Sequence, residues 1–331
     1  MKNKLDVILP GLLALPLAEL DVCFLRSALP SLNRILRFSD RQSHHLKHFE
    51  NLLADSLGLA ESQVLPFASA FVEADQPASN NLLFQAVHLK ADMRNAFIFP
   101  LDQSARTSTD INHIIEDLSH FFKADCDITA LPNQLWLMRL KHCQAPDDHP
   151  HILSVTGHEL GAYIKQSRRN LPWYQLINEV QMFMHDRAVN QQRIQAGLLP
   201  INSLWCWGSG ALVPPLDRAI QCYCNDSLLS AFVDRAGLPR RPLTDLLRLE
   251  LAANNIYIDL SLLEALKSPQ SDDWQALLCG LETNLFKPLV EAVSRGQFQF
   301  RLRTGPDDFT MTRFSALKYW RKPIDWLKLL P

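Results

Sequence analysis

The stretch LPINSLWCWGSG, Leu199–Gly210, places two tryptophans one residue apart and follows them closely with two glycines. Side chains alternate between the two faces of an extended strand, so Trp205 and Trp207 share one face and Cys206 lies on the other. The two glycines let the backbone turn or approach another segment closely. The stretch therefore predicts an extended segment that ends in a turn and joins two parts of the fold.

Two interpretations explain why these residue types lie together. In the structural one, the tryptophans anchor an inserted domain to the core, and Asn190 and Asn202 hold the adjacent turns. In the functional one, a polar pocket lies at the domain junction, a common place for ligands, and Arg193 captures a carboxylate or phosphate through paired hydrogen bonds. The ligand-binding residues predicted by the functional interpretation are Arg94, Asn178, Gln181, His185, Asn190, Arg193, Asn202, Ser203, Trp205, Trp207, Gly208 and Gly210.

The composition is that of a folded protein with a sizeable core, since 47% of the 331 residues are hydrophobic and 21% are charged. The net charge of −2 provides no general positive field, so we expect no nucleic-acid partner and no membrane partner. No stretch approaches the roughly 20 apolar residues of a membrane span. The N-terminal apolar run resembles a secretory signal, but Asp6, Pro10 and Pro16 interrupt it. The seven cysteines lack a repeated spacing, which favours free thiols and a cytoplasmic location.

Hydrophobic periodicity gives alternating strands and helices at both ends of the chain and a different unit between them. LDVILPG (5–11) and NIYIDLSLLEAL (255–266) are predicted as strands, whereas 108–122 and 172–197 carry apolar residues at helical spacing. We therefore predict an α/β fold with a parallel-sheet core and an inserted α+β domain. The predicted domains are 1–107, the first part of the core; 108–199, the insertion; and 200–331, the junction motif with the second part of the core.

Residues 185–214, HDRAVNQQRIQAGLLPINSLWCWGSGALVP, resemble a segment of the archaeal-type cofactor-independent phosphoglycerate mutases. The slightly longer stretch that starts at NEVQMFM (178) is similar to proteobacterial proteins known as RpfE-type regulatory proteins. Fainter similarities to the mutases extend over most of the chain, in LDVILPGLLAL (5–15), HLKADMRNAFIF (88–99) and the region after Asn255. The resemblance implies a degenerate, alkaline-phosphatase-like α/β core with the inserted α+β domain.

Catalysis in that superfamily, as the resemblance implies, needs two divalent metals held by clustered Asp and His, with a Ser or Thr nucleophile between them. Where the family's first strand ends in a metal-binding Asp followed by Gly, this chain has Gly11 and Leu12. The region that corresponds to the second metal cluster has Asp259 and Glu264 but no histidine, and His185 is the last histidine of the chain. We therefore expect no metal and no other cofactor; an all-carboxylate site is the alternative.

Two further places carry residue types that are used in catalysis. Ser69 lies near the position that the resemblance gives to the nucleophile, although its apolar neighbours are more typical of packing. His149, His151 and His158 could chelate zinc if the His-x-His step lies on a strand. The prolines beside them favour a solvated surface loop instead.

These observations predict a catalytically degenerate, phosphoglycerate-mutase-like protein with a regulatory role or a role in binding a small phosphorylated or carboxylate metabolite. A first alternative is a metal-dependent isomerase or phosphatase acting on a small phosphorylated acid. A second alternative is a structural or partner-binding protein, which the aromatic-rich segment KYWRKPIDWLKLL (318–330) favours.

Overall fold

The computed structural model describes residues 3–14, 22–44, 48–59, 65–72, 80–91, 95–99, 101, 104–146, 149–161, 163, 170–210, 216, 219–246, 253–266 and 271–323. The chain forms two compact units, unit 1 from Met1–Gln63 with Pro214–Pro331, and unit 2 from Val64–Val213. The strands of the described residues are β1 (Lys4–Ile8), β2 (Asp40–Ser43), β3 (Asn81–Ala91), β4 (Ala96–Phe99), β5 (Cys126–Leu131), β6 (Leu135–Leu140), β7 (Ser203–Trp207), β8 (Ile220–Tyr223), β9 (Arg240–Arg241), β10 (Asn254–Ile258), β11 (Gln299–Arg303) and β12 (Asp307–Met311). The α-helices are α1 (Val22–Ala28), α2 (Pro30–Phe38), α3 (Phe49–Ser56), α4 (Ala105–Phe121), α5 (Ile152–Val155), α6 (Leu171–His185), α7 (Ala188–Gln195), α8 (Ser227–Arg235), α9 (Ser261–Ala265), α10 (Ser271–Leu281) and α11 (Lys287–Ser294).

Unit 1 contains a seven-stranded sheet in the order β2-β12-β11-β1-β10-β8-β9. The strands from β11 to β9 run parallel to one another, and β12 and β2 are antiparallel additions at one edge. In the centre of the sheet, Val7 lies opposite Tyr257 on one side and Leu302 on the other. Parallel strands need long crossovers, which helices supply, and α10 and α11 follow β10 in this way. The prediction of a mixed α/β fold is confirmed.

The core of unit 1 forms between the sheet and the helices α1, α2, α10 and α11. Leu32 and Ile35 of α2 and Phe286 between α10 and α11 are fully buried there. The free N–H groups at the N-terminus of α2 are paired with a residue far away in the sequence. The Glu282 carboxylate accepts hydrogen bonds from the backbone N–H groups of Ser31 (2.7 Å) and Leu32 (3.0 Å). A carboxylate at this end of a helix accepts hydrogen bonds from otherwise unpaired N–H groups and interacts favourably with the positive end of the helix dipole.

Unit 2 contains an antiparallel sheet in which β3 is the central strand. β3 pairs with β6 through 81–84, with β7 through 83–87 and with β4 through 88–91, and β5 pairs with β6. Helices α4 and α6 cover one face of this sheet, where Phe84 stacks on Trp136 at 5.7 Å. This sheet and its two helices form the α+β unit that the sequence predicts between the two parts of the core.

The boundaries of unit 2 differ from the predicted insertion, 108–199. The contacts place 64–213 in one unit because β3, β4 and β7 belong to the same sheet as β5 and β6. The residues of β3 and β4 carry an extended pattern in the sequence, but the sequence does not show which sheet they join.

Two helices also depart from their predicted bounds. The cap of α4 is Ser104, whose hydroxyl accepts the Thr107 N–H at 3.2 Å, so the helix begins before 108. The amphipathic stretch 172–197 forms two helices, α6 and α7, because Asn190 donates its side-chain amide to the Met184 carbonyl (2.7 Å), which stabilises a corner there. The predicted strand at 255–266 ends at Ile258 and is followed by helix α9.

The cysteines are all free thiols. None of the described helices combines the length and the apolar character that crossing a bilayer requires.

Candidate ligand site

The tryptophan stretch forms β7, a fully buried strand of unit 2. Leu204 and Cys206 point towards α4 and α6, and burial raises the pKa of the Cys206 thiol far above its usual range. A thiol that stays protonated acts as an apolar filler rather than a nucleophile. This agrees with the alternation that the sequence predicts.

The opposite face of β7 carries the two tryptophans, and each meets a histidine. Trp205 donates its indole N–H to the Pro150 carbonyl (3.0 Å) and stacks on His149, with ring centroids 4.9 Å apart and planes 12° from parallel. Trp207 meets His151 edge-on at 5.0 Å. These contacts pack the segment 149–151 onto the sheet. They give each of the two neighbouring tryptophans a structural role.

The glycines after the tryptophans allow a close backbone approach. Gly208 has φ +71°, and a Cβ there would lie 3.1 Å from the Cβ of Phe67. The Gly208 carbonyl accepts the Ala68 N–H at 2.9 Å, which fixes the short 3₁₀ turn that begins at Phe67. Both the left-handed φ and the lack of space require glycine at this position.

Asn190 and Asn202, both predicted ligand-binding residues, use their side-chain amides on the backbone of unit 2. Asn190 accepts the Ile201 N–H (2.7 Å) and donates to the carbonyls of Met184 and Ile201. Asn202 accepts the Leu89 N–H (2.7 Å) and donates to the Leu89 carbonyl (2.9 Å). Asn190 therefore stabilises the corner between α6 and α7, and Asn202 joins the start of β7 to strand β3. A ligand-binding role for either asparagine stays a prediction.

Arg193, the cation on which the predicted anion pocket depends, is fully buried within unit 2. Its guanidinium donates to the Asp110 carboxylate (2.7 Å), the Thr107 hydroxyl (3.0 Å) and the Leu199 carbonyl (2.9 Å). Asp110 therefore balances its charge within the protein. An anion-binding role for Arg193 stays a prediction.

The other predicted site residues are only partly brought together. The Gln181 amide donates to the Ser203 hydroxyl at 2.9 Å, which joins α6 to the start of β7. Asn178 is half-buried and His185 is exposed. Gly210 has φ +132°, and a Cβ there would lie 3.4 Å from the Cβ of Pro66. Arg94 lies outside the described residues.

The histidine-rich segment and Ser69 do not form a catalytic arrangement. His149 and His151 are buried against the tryptophans, so the expectation of a solvated loop is wrong for these two residues; His158 is exposed. The Ser69 hydroxyl donates to the Pro66 carbonyl at 2.6 Å, as a packing residue does. Within the part of the chain that the structure describes, no group of three or more His, Cys, Asp or Glu side chains is arranged to hold a metal ion.

In unit 1, the carboxyl ends of the parallel strands are where ligands bind in open α/β sheets. At the end of β1, Gly11 has φ +86°, and a Cβ there would lie 3.0 Å from the Leu266 side chain and 3.1 Å from the Leu263 Cα. No side chain fits at this place without a shift of the helix α9 backbone. The metal-binding Asp that the sequence resemblance implies at the end of β1 therefore does not fit at the Gly11 position.

Beyond the end of β10, unit 1 has an open cleft of about 1170 Å³. It lies between the turn at 243–246, helix α9, helix α10 and a π-helical turn, Glu282–Phe286, between α10 and α11. Single π-helical turns inside α-helices occur frequently at functional sites. The residues that line the cleft are Leu243, Thr244, Leu246, Tyr257, Asp259, Ser261, Glu264, Ala265, Ala276, Leu277, Gly280, Leu281, Thr283, Asn284, Leu285 and Pro288.

The polar side chains of the cleft are acidic or neutral, and none of the described lining residues is basic. Asp259 accepts the Ser261 N–H at 2.9 Å and interacts with the Tyr257 hydroxyl, whose pKa is raised by burial and by the Asp259 charge. The pKa of Glu264 is also raised, first because the cleft walls desolvate its carboxylate and then because Asp226 and Asp259 lie near. Among the described lining residues, the charged side chains are therefore all acidic.

A second group of charges in unit 1 is balanced internally. Arg303 is almost fully buried and pairs with Asp55 (2.6 Å) and Asp308 (3.2 Å), while Arg301 binds both oxygens of Asp6. Arg41 forms a bidentate pair with Asp307. Each of these carboxylates has an arginine partner, so this group acts as a structural network.

The segment predicted to favour partner binding has exposed aromatic side chains. Tyr319 and Trp320 are 78% and 68% exposed. Lys318 and Arg321, on either side of them, both bind the Asp40 carboxylate (2.6 and 2.7 Å), which fixes the backbone between them. A protein partner for this surface stays a prediction; residues 324–331 lie outside the described part.

The sequence matches no protein-family model and no curated protein. Among solved structures, the chain is similar to a cofactor-independent phosphoglycerate mutase from Thermoplasma acidophilum DSM 1728, with 13% identity and a TM-score of 0.45 over 94% of this chain and 90% of that one. It is also similar to a protein from Pyrococcus horikoshii, with 11% identity and a TM-score of 0.48 over 94% of this chain and 87% of that one. No site residue can be transferred at this level of similarity, and the resemblance to RpfE-type proteins stays a prediction.

Proposed function

We propose that this chain is a small-molecule-binding protein with a regulatory role, that it does not transfer phosphoryl groups, and that its ligand occupies the cleft of unit 1. Phosphoryl transfer with two metals needs clustered ligands and a nucleophile between the ions. A metal-binding side chain in place of Gly11 would meet helix α9, and the Ser69 hydroxyl is bonded to a backbone carbonyl. These residues support binding rather than catalysis.

The observation that carries the proposal is the cleft itself. Its volume of about 1170 Å³ is as large as the upper end of small-molecule sites, which range over about 300–1,000 Å³. Five leucines form the largest single part of its described wall, and polar side chains that include Asp259, Glu264 and Asn284 also line it. Apolar walls with a small number of convergent polar groups are the usual composition of a ligand site.

Gly280 offers a direct test of the cleft. It lies in α10 and lines the cleft, and no atom lies within 4 Å of the place where its Cβ would be. Gly280→Trp should therefore place an indole in the cleft without a backbone clash. Cys279→Trp is the matched control, because Cys279 is exposed on the same helix but does not line the cleft.

The measurement is saturable binding of Nile red, a neutral apolar dye, to the purified chain. We expect one site in the wild type and in Cys279→Trp, and its loss in Gly280→Trp. Melting curves establish that each variant is folded, and Ala276→Trp, one helical turn earlier, provides a second variant. Equal dye binding in the wild type and both cleft variants contradicts the proposed site. Turnover of phosphoglycerate that a chelator abolishes contradicts the proposed lack of phosphoryl transfer.

A further inference from the structure

The cleft of unit 1 differs from the rest of its unit in how carboxylates are partnered. Asp6, Asp55 and Asp307 are each paired with an arginine. In the cleft, the Glu264 carboxylate forms no hydrogen bond or ion pair with any described residue, and no described lining residue carries a positive charge. A carboxylate that faces an open cleft without a counter-charge is free to bind a cation that enters from solution.

The charge of Glu264 is reinforced by its neighbours. Asp259 lies in the same wall, and Asp226 is close enough to act on Glu264 electrostatically. An anion in this cleft would meet at least two like charges, which is unfavourable in a partly desolvated site. A phosphorylated or carboxylate metabolite, the ligand class expected from the sequence, therefore fits this cleft poorly.

The leucines of the cleft wall indicate which chemical group must be attached to the cation. Leu277, Leu281 and Leu285 come from α10 and the π-helical turn, and Leu243 and Leu246 from the facing turn. Apolar surface of this extent is satisfied by a hydrocarbon or aromatic body rather than by a bare, hydrated ion. The Asn284 side chain adds a hydrogen-bonding group to the lining of the cleft.

We propose that the ligand of this cleft is an organic cation, a protonated amine on an apolar body, with its ammonium group at Glu264 and Asp259 and its apolar body against the leucines of α10. This inference rests on the proposed function, since both concern the same cleft. An ammonium group donates up to three hydrogen bonds and would supply the counter-charge that the described chain does not provide.

Three probes of equal length and different charge test the proposal: octylamine, 1-octanol and octanoate, each titrated at pH 7 against bound Nile red. Octylamine should displace the dye at a concentration about tenfold lower than octanol, and octanoate should be weaker than both. Glu264→Gln should remove most of the amine preference and leave octanol unchanged. Glu291→Gln, which alters an exposed carboxylate on α11 paired with Arg295, should keep the preference.

The outcomes separate this inference from the proposed function. If Nile red and octanol bind the wild type but not Gly280→Trp, and octylamine is no better than octanol, the cleft is a site and the amine assignment is wrong. If no probe binds the wild type, the proposed site itself fails. Added salt gives a readout that needs no variant, because it should weaken octylamine and leave octanol unaffected; an equal effect on both contradicts the ammonium contact.

Discussion

The tryptophan stretch of unit 2 and the cleft of unit 1 are both rich in side chains that chemistry could use, and they differ in what those side chains contact. In unit 2, Arg193, Asn190 and Asn202 bind backbone groups, a hydroxyl or a carboxylate of the same unit at 2.7–3.0 Å. In unit 1, Glu264 faces open space with no partner among the described residues.

The two regions differ in whether their polar side chains are paired within the protein, more than in which residue types they contain. A buried polar group costs free energy unless it is paired, so a protein satisfies those that it uses for its own structure. A side chain that binds a ligand must instead keep bonding capacity free. On this criterion, we propose a structural role for Arg193, whose anion-binding role stays a prediction, and Glu264 is the better candidate for binding.

The largest expected effect tests the structural side of this comparison. Arg193→Met should lower the free energy of unfolding by about 3 kcal/mol, because it leaves the Asp110 carboxylate without its buried partner. Arg106 is the matched control: it approaches the same carboxylate at 3.9 Å but is exposed, and Arg106→Met should change stability little. Urea unfolding measures both. A wild-type stability in Arg193→Met would show that this arginine is not a structural residue and would restore its candidacy as a ligand group.

A smaller effect is expected where the tryptophan stretch ends. Gly208→Ala combines a strained left-handed φ with a contact of 3.1 Å to Phe67, whereas Gly197→Ala has nearly the same φ (+72°) and open space around the new methyl group. The strain alone costs about 1 kcal/mol, so Gly197→Ala should lose about that much and Gly208→Ala about 1 kcal/mol more. Equal losses in thermal unfolding would mean that the turn can move away from Phe67.

Much of unit 2 could be predicted from local sequence signals. Alternation around Trp205 and Trp207 and helical spacing in 108–122 each describe one element, and the element types are confirmed. Asn190 bonds the backbone at the corner after α6, whereas Asn202 bonds Leu89 of strand β3. Local patterns reflect the face that a segment buries, and burial is visible one segment at a time.

The parts that could not be predicted depend on residues far apart in the chain. Asp110 lies 83 positions from Arg193, and nothing local marks it as a partner. The histidines at 149 and 151 look solvated beside prolines, yet β7 covers them with indole rings. The cleft exists only because a turn at 243–246 faces helices that follow β10, so sequence could indicate Asp259 and Glu264 but not the space between them.

The smallest expected effect distinguishes the cleft from the balanced network by the sign of its pH dependence. Because the pKa of Glu264 is raised in the folded state, its contribution to stability is full below the unfolded value, near 4.5, and is lost as pH rises through the folded pKa. Glu264→Gln removes that loss, so its melting temperature relative to wild type should rise between pH 4 and pH 7.

At Asp307, burial acts to raise the pKa, but the hydrogen bonds from Arg41 and Ser43 outweigh it and hold the pKa below 3.8. Asp307→Asn should therefore lose stability relative to wild type in a lower interval, as pH rises from the lowered folded pKa to just above 3.8, since the paired carboxylate stabilises the fold above that pH. If both variants shift in the same direction, the Glu264 carboxylate is as well partnered as that of Asp307, and the contrast between the cleft and the network fails.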